Sequence, residues 1–128
     1  MRRNLQRIAK RNITFLGWQE DTVVRQLMHA ARAFIHPQVE DFGITAVEAM
    51  AAGRPVLALN QGGALETVVP GVSGDFFDEQ SWEALAHAVL KFKPADYDPV
   101  AIRKHAEQFS TERFIAEMRE RVQAPMER

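Results

Sequence analysis

Short apolar runs alternate with segments of helical periodicity along the 128 residues of the chain. Four of these runs predict β-strands: residues 12–16, 32–36, 55–59 and 74–77. The third run shows no alternation with polar residues, which is typical of a strand covered on both faces of its sheet. We therefore expect at least one central, fully buried strand.

Helical periodicity fills the segments between the runs. Apolar positions repeat up to Ala31 behind a capping residue, Asp21. A second helix is predicted from Thr45 to Ala52, and Gly53 ends it. The other predicted helices cover 4–9, 62–68, 82–90, 102–109 and, behind a Ser110 cap, 114–122.

This alternation predicts an α/β fold. We expect a Rossmann-like parallel sheet of about four strands, with helices on both faces and right-handed crossovers. The stretch 94–99 contains prolines at both ends and is interpreted as a bend, so residues 1–128 form a single predicted domain. Trp82 and the phenylalanines are expected in the core, and the helix at 4–9 is expected to cover part of the sheet.

The composition excludes several classes of function. Sixteen Lys+Arg against seventeen Asp+Glu give a net charge of −1, without the basic excess of a nucleic-acid-binding protein. The absence of cysteine excludes disulfides and thiolate metal sites. No apolar run approaches the roughly 20 residues of a membrane span, and no signal peptide is present, so we expect a cytoplasmic protein. No His/Asp/Glu set has metal-ligand spacing, so no metal is expected.

Glycine and polar residues follow the second and third runs, where open parallel sheets bind ligands. Gly43 precedes a helix, and the free N–H groups of Ile44, Thr45 and Ala46 would point outward at its positive end. Gly62 and Gly63 begin the next helix in the same way. Two helix N-termini that face one crevice suit a diphosphate carrying hydroxyl-rich groups.

Three glutamates near these glycines could accept hydrogen bonds from hydroxyl groups: Glu40, Glu48 and Glu66. Each has a structural alternative. Glu48 also fits a capping box with Thr45, Glu66 fits a first-turn acid favoured by the helix dipole, and Glu40 fits a solvated loop acid. The glycine pair 62–63 also fits a plain strand-to-helix turn. Both interpretations stay open for each residue.

The segment 40–56 closely resembles the donor-site signature of retaining GT-B glycosyltransferases of group 1 (GT4-type). The mark of that family is a pair of glutamates separated by seven residues, here Glu40 and Glu48. The segments 62–68 and 15–17 are similar to the neighbouring motifs of the family. The residues of these motifs look most like those of bacterial mannosyltransferases that use GDP-mannose.

The resemblance implies specific roles in binding a nucleotide-sugar donor. Glu40 would be the catalytic residue beside the donor sugar, and Glu48 would bind the ribose. The other implied donor-binding residues are Gly17, Trp18, Asp41, Phe42, Gly43, Ile44, Thr45, Gly62, Gly63 and Glu66. The donor would be GDP-mannose or another NDP-hexose, with no cofactor, and the acceptor a glycan or a lipid-linked molecule, reached in the cytoplasm or at the inner membrane face.

The resemblance covers about residues 10–93 and implies a partial domain. Family members have two Rossmann-like domains, and this chain is similar to roughly the last third of one. We therefore expect the donor-binding part of the C-terminal domain, inactive without an N-terminal half, and either a homodimer or a complement to that half. The alternative function is a non-catalytic nucleotide-sugar-binding or interaction module. The glutamate spacing disfavours a sugar-nucleotide epimerase.

Overall fold

The computed structural model describes residues 2–123 of the chain. Its strands are β1 (Phe34–His36), β2 (Val56–Leu59) and β3 (Gly74–Phe77). Its α-helices are α1 (Arg2–Ile8), α2 (Asp21–Ala30), α3 (Ile44–Ala51), α4 (Ala64–Thr67), α5 (Trp82–Lys91), α6 (Pro99–Ala106) and α7 (Thr111–Gln123). Short 3-10 helices cover Pro94–Asp96 and Glu107–Phe109.

The three strands form one parallel sheet in the order β1-β2-β3. Val56 in β2 lies opposite Phe34 on one side and Gly74 on the other. All four residues of β2 are buried, because the strand lies between two neighbours and is covered on both faces. The predictions of an α/β fold and of a central buried strand are confirmed.

Helices pack on both faces of the sheet, because successive strand side chains point to opposite sides. Val56 and Ala58 face the larger core, to which α2, α3, α4 and α6 contribute. Leu57, Leu59 and Phe77 face α5 on the other side. The larger core fixes α3 directly above the sheet, so the start of α3 has a defined place at the end of β1.

The predicted first strand, residues 12–16, does not form in the described part of the chain. The segment makes a single main-chain hydrogen bond there, donated by the Ile13 N–H, and Ile13 and Leu16 are both exposed. A strand is stable only within a ladder, and no neighbouring strand pairs with this segment. The prediction of about four strands was therefore one too high.

The expectation that the N-terminal helix covers the sheet was also wrong. Leu5 and Ile8 in α1 are exposed. Trp82 and the phenylalanines were expected in the core, but Trp82, Phe42 and Phe114 are 76%, 42% and 62% exposed. Apolar side chains at helical spacing therefore mark a helix here without fixing what the helix packs against.

The helix ends follow local chemistry more closely. Gly53 has a φ of +79° and its N–H donates to Met50 O over 2.8 Å, which confirms it as the stop of α3. Ser110 Oγ accepts from the N–H of Arg113 over 3.2 Å, which confirms the predicted cap of α7. Asp21 is the first residue of α2 rather than its cap, and the residue before it makes no side-chain capping bond.

Candidate functional site

The loops that follow the three strands are joined by hydrogen bonds into a closed ring at the carboxyl edge of the sheet. The three bonds run from Gly63 N–H to Glu40 O (2.6 Å), from Asn60 Nδ2 to Asp78 Oδ1 (3.0 Å) and from Gln80 Nε2 to Pro37 O (3.1 Å). Each loop is thereby bonded to both of the others. We refer to this arrangement as the loop ring.

The glycine pair after β2 lets two loops approach each other closely. Gly62 has a φ of +71°, and a Cβ there would lie 2.7 Å from the carbonyl oxygen of Glu40. A Cβ on Gly63 would overlap the main chain of Asp41 and Phe42. Backbone packing thus requires both glycines, so the turn interpretation is sufficient to explain them, and their contact with a donor stays a prediction.

The start of α3 presents free hydrogen-bond donors. Gly43 occupies the cap position in a left-handed conformation, with φ +78°, and its carbonyl accepts from the N–H groups of Ala46 and Val47. The Ala46 N–H was predicted to be free, which is wrong because it is used inside the first turn. The N–H groups of Ile44 and Thr45 make no hydrogen bond within residues 2–123. These two donors lie at the positive end of the helix dipole, as an anion site requires.

The capping box predicted for Thr45 and Glu48 does not form. Because Gly43 is the cap, Thr45 is already the second residue of α3, and no side chain caps this helix. Glu48 is exposed, and its carboxylate has no hydrogen-bond partner among the described residues. The structural alternative for Glu48 is therefore removed.

Glu48 lines a groove of about 390 Å³ between α2 and α3. The polar rim on the α2 side consists of Asp21, Arg25 and His29, which are four residues apart and so lie on one side of the helix. Val24, Met28, Ala51 and Ala52 also line the groove and give it apolar walls. Such a groove suits a flat ring with attached hydroxyl groups, because carboxylates accept hydrogen bonds from hydroxyls.

Glu40 and its neighbours lie beside the start of α3. Glu40 is half-buried, and its carbonyl is held by the loop ring. The ring of Phe42 packs edge-on against Phe109, with centroids 5.9 Å apart. Asp41 is exposed. The structure thus brings residues 40–45 together with Gly62 and Gly63, as the sequence predicted.

The remaining predicted site residues lie outside this group. Gly17 turns the chain with a φ of +66°, and Trp18 is 86% exposed three residues before α2 begins. Neither donates to nor accepts from the loop ring in the described part of the chain. Glu66 is an exposed first-turn residue of α4 without a side-chain hydrogen bond there, so both interpretations of it stay open.

Sequence reasoning missed the polar residues that close the loop ring: Asn60, Asp78 and Gln80. Their positions carried a signal, because Asn60 and Asp78 directly follow β2 and β3 and Gln80 lies three residues after β3, at the edge where ligands bind. The reach of one side chain to another loop is not visible in the sequence.

A larger cavity, about 670 Å³, lies elsewhere, between β3 and α5. Asp75, Lys91 and Tyr97 are among its lining residues, and none of the predicted site residues is. The Tyr97 hydroxyl donates to Gly74 O over 3.1 Å. Burial raises the pKa of Tyr97, and the carboxylates of Asp75 and Asp96 raise it further. This hollow belongs to the outer edge of the sheet.

Two searches of residues 2–123 bear on other classes of site. No three acidic or histidine side chains converge there as potential metal ligands. No helix in the same stretch has both the length and the apolar character needed to cross a bilayer.

The family model for glycosyl transferases group 1 matches residues 2–109. The chain belongs to this family. The structure is a partial GT-B Rossmann-like domain.

The group 1 chain is similar over a short stretch to an alpha-1,3/1,6-mannosyltransferase of Dictyostelium discoideum. The two are 60% identical over 38 residues, which are 30% of this chain and 9% of the relative. The high identity of so short a stretch indicates a shared local motif.

Two solved structures resemble nearly the whole chain. Sucrose-phosphate synthase from Thermosynechococcus elongatus superposes with a TM-score of 0.80 at 27% identity, covering 98% of this chain and 33% of that one. HepE of Anabaena, solved in complex with UDP and glucose, gives a TM-score of 0.68 at 26% identity, with 98% and 35% covered. The group 1 chain therefore spans about a third of these enzymes' length.

Proposed function

We propose that this chain provides the donor site of a retaining glycosyltransferase. The diphosphate of a nucleotide sugar would bind at the start of α3, and the nucleoside would lie in the groove between α2 and α3. One observation carries the proposal. The same helix presents two free N–H groups, at Ile44 and Thr45, and one turn later the Glu48 carboxylate, which has no hydrogen-bond partner among the described residues. HepE, which was solved with UDP and glucose, supports it.

Each group has a defined task in this proposal. Glu48 accepts hydrogen bonds from the ribose hydroxyls, and Glu40, on the loop beside α3, contacts the donor sugar as the catalytic residue. Negative charge grows on the diphosphate as the bond from the anomeric carbon to the phosphate oxygen breaks. The Ile44 and Thr45 N–H groups and the helix dipole stabilise that charge.

Retention follows from attack on the face that the diphosphate leaves. The acceptor hydroxyl forms the new bond to the anomeric carbon, and its proton passes to the departing phosphate oxygen. No side chain needs to act as a covalent nucleophile, and no bound metal or cofactor takes part. The acceptor is a glycan or a lipid-linked molecule.

The donor sugar is proposed to be a hexose, with GDP-mannose as the first candidate. The stretch shared with the Dictyostelium discoideum mannosyltransferase supports mannose. HepE, solved with UDP and glucose, supports UDP-glucose as the competing donor. Parallel titrations with the two nucleotide sugars distinguish them, since the correct base and sugar should bind more tightly.

We further propose that the domain works with another polypeptide surface, as a homodimer or as the complement of an N-terminal half. The outer edge of β1 supports this assembly, because the main-chain groups of Ile35 make no hydrogen bond within residues 2–123. Light scattering at about 100 μM should show more than a monomer, since open edges of parallel sheets invite pairing. A well-folded monomer at that concentration would contradict the homodimer.

Glu48→Gln is the most direct test of the donor site. The wild-type chain should bind GDP or UDP with a Kd on the order of 0.1–1 mM. Losing a charge-assisted bond should weaken this by about 1.5–3 kcal/mol. The melting temperature should stay unchanged, because Glu48 caps nothing. Glu83→Gln, a first-turn acid of α5 on the other face of the sheet, is the matched control. Equal affinity in the Glu48 variant and the wild type would overturn the ribose role.

A transfer assay distinguishes an enzyme part from a complete catalyst. We expect the 128-residue chain, mixed with either nucleotide sugar and a simple acceptor, to bind the donor without forming a glycoside. The reason is that the proposed site accounts for the donor side of the reaction alone. Glycoside product from the purified chain would contradict this expectation.

A further inference from the structure

Gln80 makes the longest reach in the loop ring. It lies between β3 and α5, and its amide donates to the carbonyl oxygen of Pro37 in the loop after β1. Because β2 lies between β1 and β3, the two strands are about 10 Å apart, and the side chain spans the end of β2. No other hydrogen bond among the described residues joins these two loops directly.

The segment 37–42 depends on few other bonds. Within residues 2–123, two hydrogen bonds reach its main chain: one from Gln80 to Pro37 O and one from the Gly63 N–H to Glu40 O. The first holds the beginning of the segment and the second holds its middle. Without Gln80, a single hydrogen bond would fix the backbone that carries Glu40.

The backbone at Gln80 is itself held in place from both sides. Asp78, two residues earlier, accepts from Asn60 over 3.0 Å. Ser81, the next residue, caps α5 by accepting from the N–H of Ala84 over 3.2 Å. Little freedom remains for the backbone of Gln80, so its amide is presented to Pro37 at a small cost in conformational entropy.

We propose that Gln80 is a positioning residue for Glu40. By fixing the segment 37–42 against the ring, it holds the Glu40 carboxylate in place relative to the start of α3. This inference rests on the proposed function, which places Glu40 beside the donor sugar. Gln80 itself contacts neither the nucleotide nor the sugar.

Gln80→Glu tests the bond with little change in shape, because the carboxylate can no longer donate to the Pro37 carbonyl. Gln61→Glu is the matched control: it adds the same charge at the same edge of the sheet, and the Gln61 side chain makes no hydrogen bond in the described chain. Gln80→Lys is the rescue variant, because it keeps a donor of similar reach.

The first readout is amide hydrogen exchange of Gly63 without ligand, because its N–H donates to Glu40 O and so reports how firmly the segment 37–42 is held. Losing a hydrogen bond of ordinary strength should speed this exchange about 3- to 10-fold in Gln80→Glu. In Gln61→Glu and Gln80→Lys the exchange rate should stay within about twofold of the wild-type rate, which is less than the loss of a typical hydrogen bond would cause. Equal exchange in the two glutamate variants would overturn the inference.

The second readout is the affinity for a nucleotide sugar divided by that for the bare nucleotide, with UDP-glucose against UDP and GDP-mannose against GDP. Because Glu40 is placed at the sugar, Gln80→Glu should lower this ratio about 3-fold or more, whereas a general loss of stability would leave it unchanged. If the wild type binds donor but the ratio does not fall, the inference fails and the proposed function stands. If the wild type binds neither ligand, the proposed function fails, and hydrogen exchange alone decides whether Gln80 positions the loop.

Discussion

The two outer edges of the sheet are built differently. On β3, Ser73 and Phe77 bond to the β2 side, so the polar groups of Gly74 and Phe76 point outward. The Gly74 carbonyl accepts from the Tyr97 hydroxyl over 3.1 Å, and the Phe76 N–H donates to Asp75 Oδ1 over 2.8 Å. The Gly71 N–H also donates to Gly74 O over 3.0 Å, so the chain covers this edge with its own side chains and main chain.

The edge at β1 has no such protection. The Phe34 N–H donates to Pro55 O over 3.0 Å, so the polar groups of Ile35 point away from the sheet. They make no hydrogen bond in the part of the chain that the structure describes, and Ile35 is 43% exposed. Nearby, a hollow of about 220 Å³ is lined by Val24, Leu27, Met28, Ala31, Phe34, Ala49 and Arg54.

The contrast indicates which side of the domain meets a partner. Natural sheets protect their edges with charges, bulges or covering elements. At β3, the Tyr97 hydroxyl and the Asp75 carboxylate bond to main-chain groups that point outward. An acid stands at the outer strand β3, at Asp75, whereas an isoleucine, Ile35, stands at the corresponding place on β1. Within residues 2–123 the fold is closed at β3 and open at β1, which is why we place the proposed assembly at β1.

The largest expected effect is at the closed edge, in Gly74→Ala. A Cβ on Gly74 would overlap the main chain of Val56, so β3 could no longer lie against β2. Because a strand backbone yields less than a side chain does, we expect a loss of at least about 3 kcal/mol, at the upper end of overpacking effects. Urea unfolding followed by circular dichroism measures it.

Gly71→Ala is the control for that variant. Nothing lies within 4 Å of a Cβ placed on Gly71, but its φ is +79°, so the change should cost only the strain of a left-handed residue, about 1–2 kcal/mol. If the two alanine variants lose equal stability, the close approach of β3 to β2 is not what Gly74 provides.

A charge at the open edge should weaken association there. Ile35→Lys places an ammonium group on the edge strand β1, and lysines on edge strands oppose strand pairing. We expect the self-association constant to fall by about tenfold, equivalent to about 1.4 kcal/mol. Val100→Lys, an exposed apolar position on α6, is the control and should leave association unchanged. Sedimentation equilibrium measures both, and an equal shift in both variants would assign the effect to net charge.

The smallest effect is expected for Tyr97→Phe, which removes one cap from β3. At neutral pH the loss of the hydrogen bond to Gly74 O should cost about 1 kcal/mol. The pKa of Tyr97 is raised in the fold, so the contribution of its neutral form is complete below about pH 10 and is lost as pH rises through the raised value. The difference in the free energy of unfolding between Tyr97→Phe and the wild type should therefore become smaller at alkaline pH. A difference that grows there would contradict the assignment.

The sequence predicted best where the cause was local. The burial of β2, the stop at Gly53 and the cap at Ser110 each depend on a few neighbouring residues, and all three were confirmed. The segment 12–16 was predicted wrongly because a strand needs a partner that no local pattern specifies. The capping box failed because the left-handed Gly43 is the cap of α3 and lies two residues before Thr45.

The candidate site was predicted only in part, because local patterns specify its backbone but not the packing around it. Apolar runs located the carboxyl ends of β1 and β2, so residues 40–45 and the glycine pair 62–63 were placed together correctly. The groove beside Glu48 and the loop ring depend on how α2 and the β3 loop pack, and neither position follows from patterning. Sequence patterns located the backbone of the site better than they located its side-chain bonds.

Amide chemical shifts of the chain, titrated with GDP-mannose and with UDP-glucose into the millimolar range, test the central claim most directly. A donor site at the start of α3 predicts saturating shifts for residues 43–48, with a Kd on the order of 0.1–1 mM for the better ligand. Smaller shifts are expected along the groove on α2. Unchanged resonances at 43–48 for both ligands, or shifts confined to the hollow between β3 and α5, would contradict the claim.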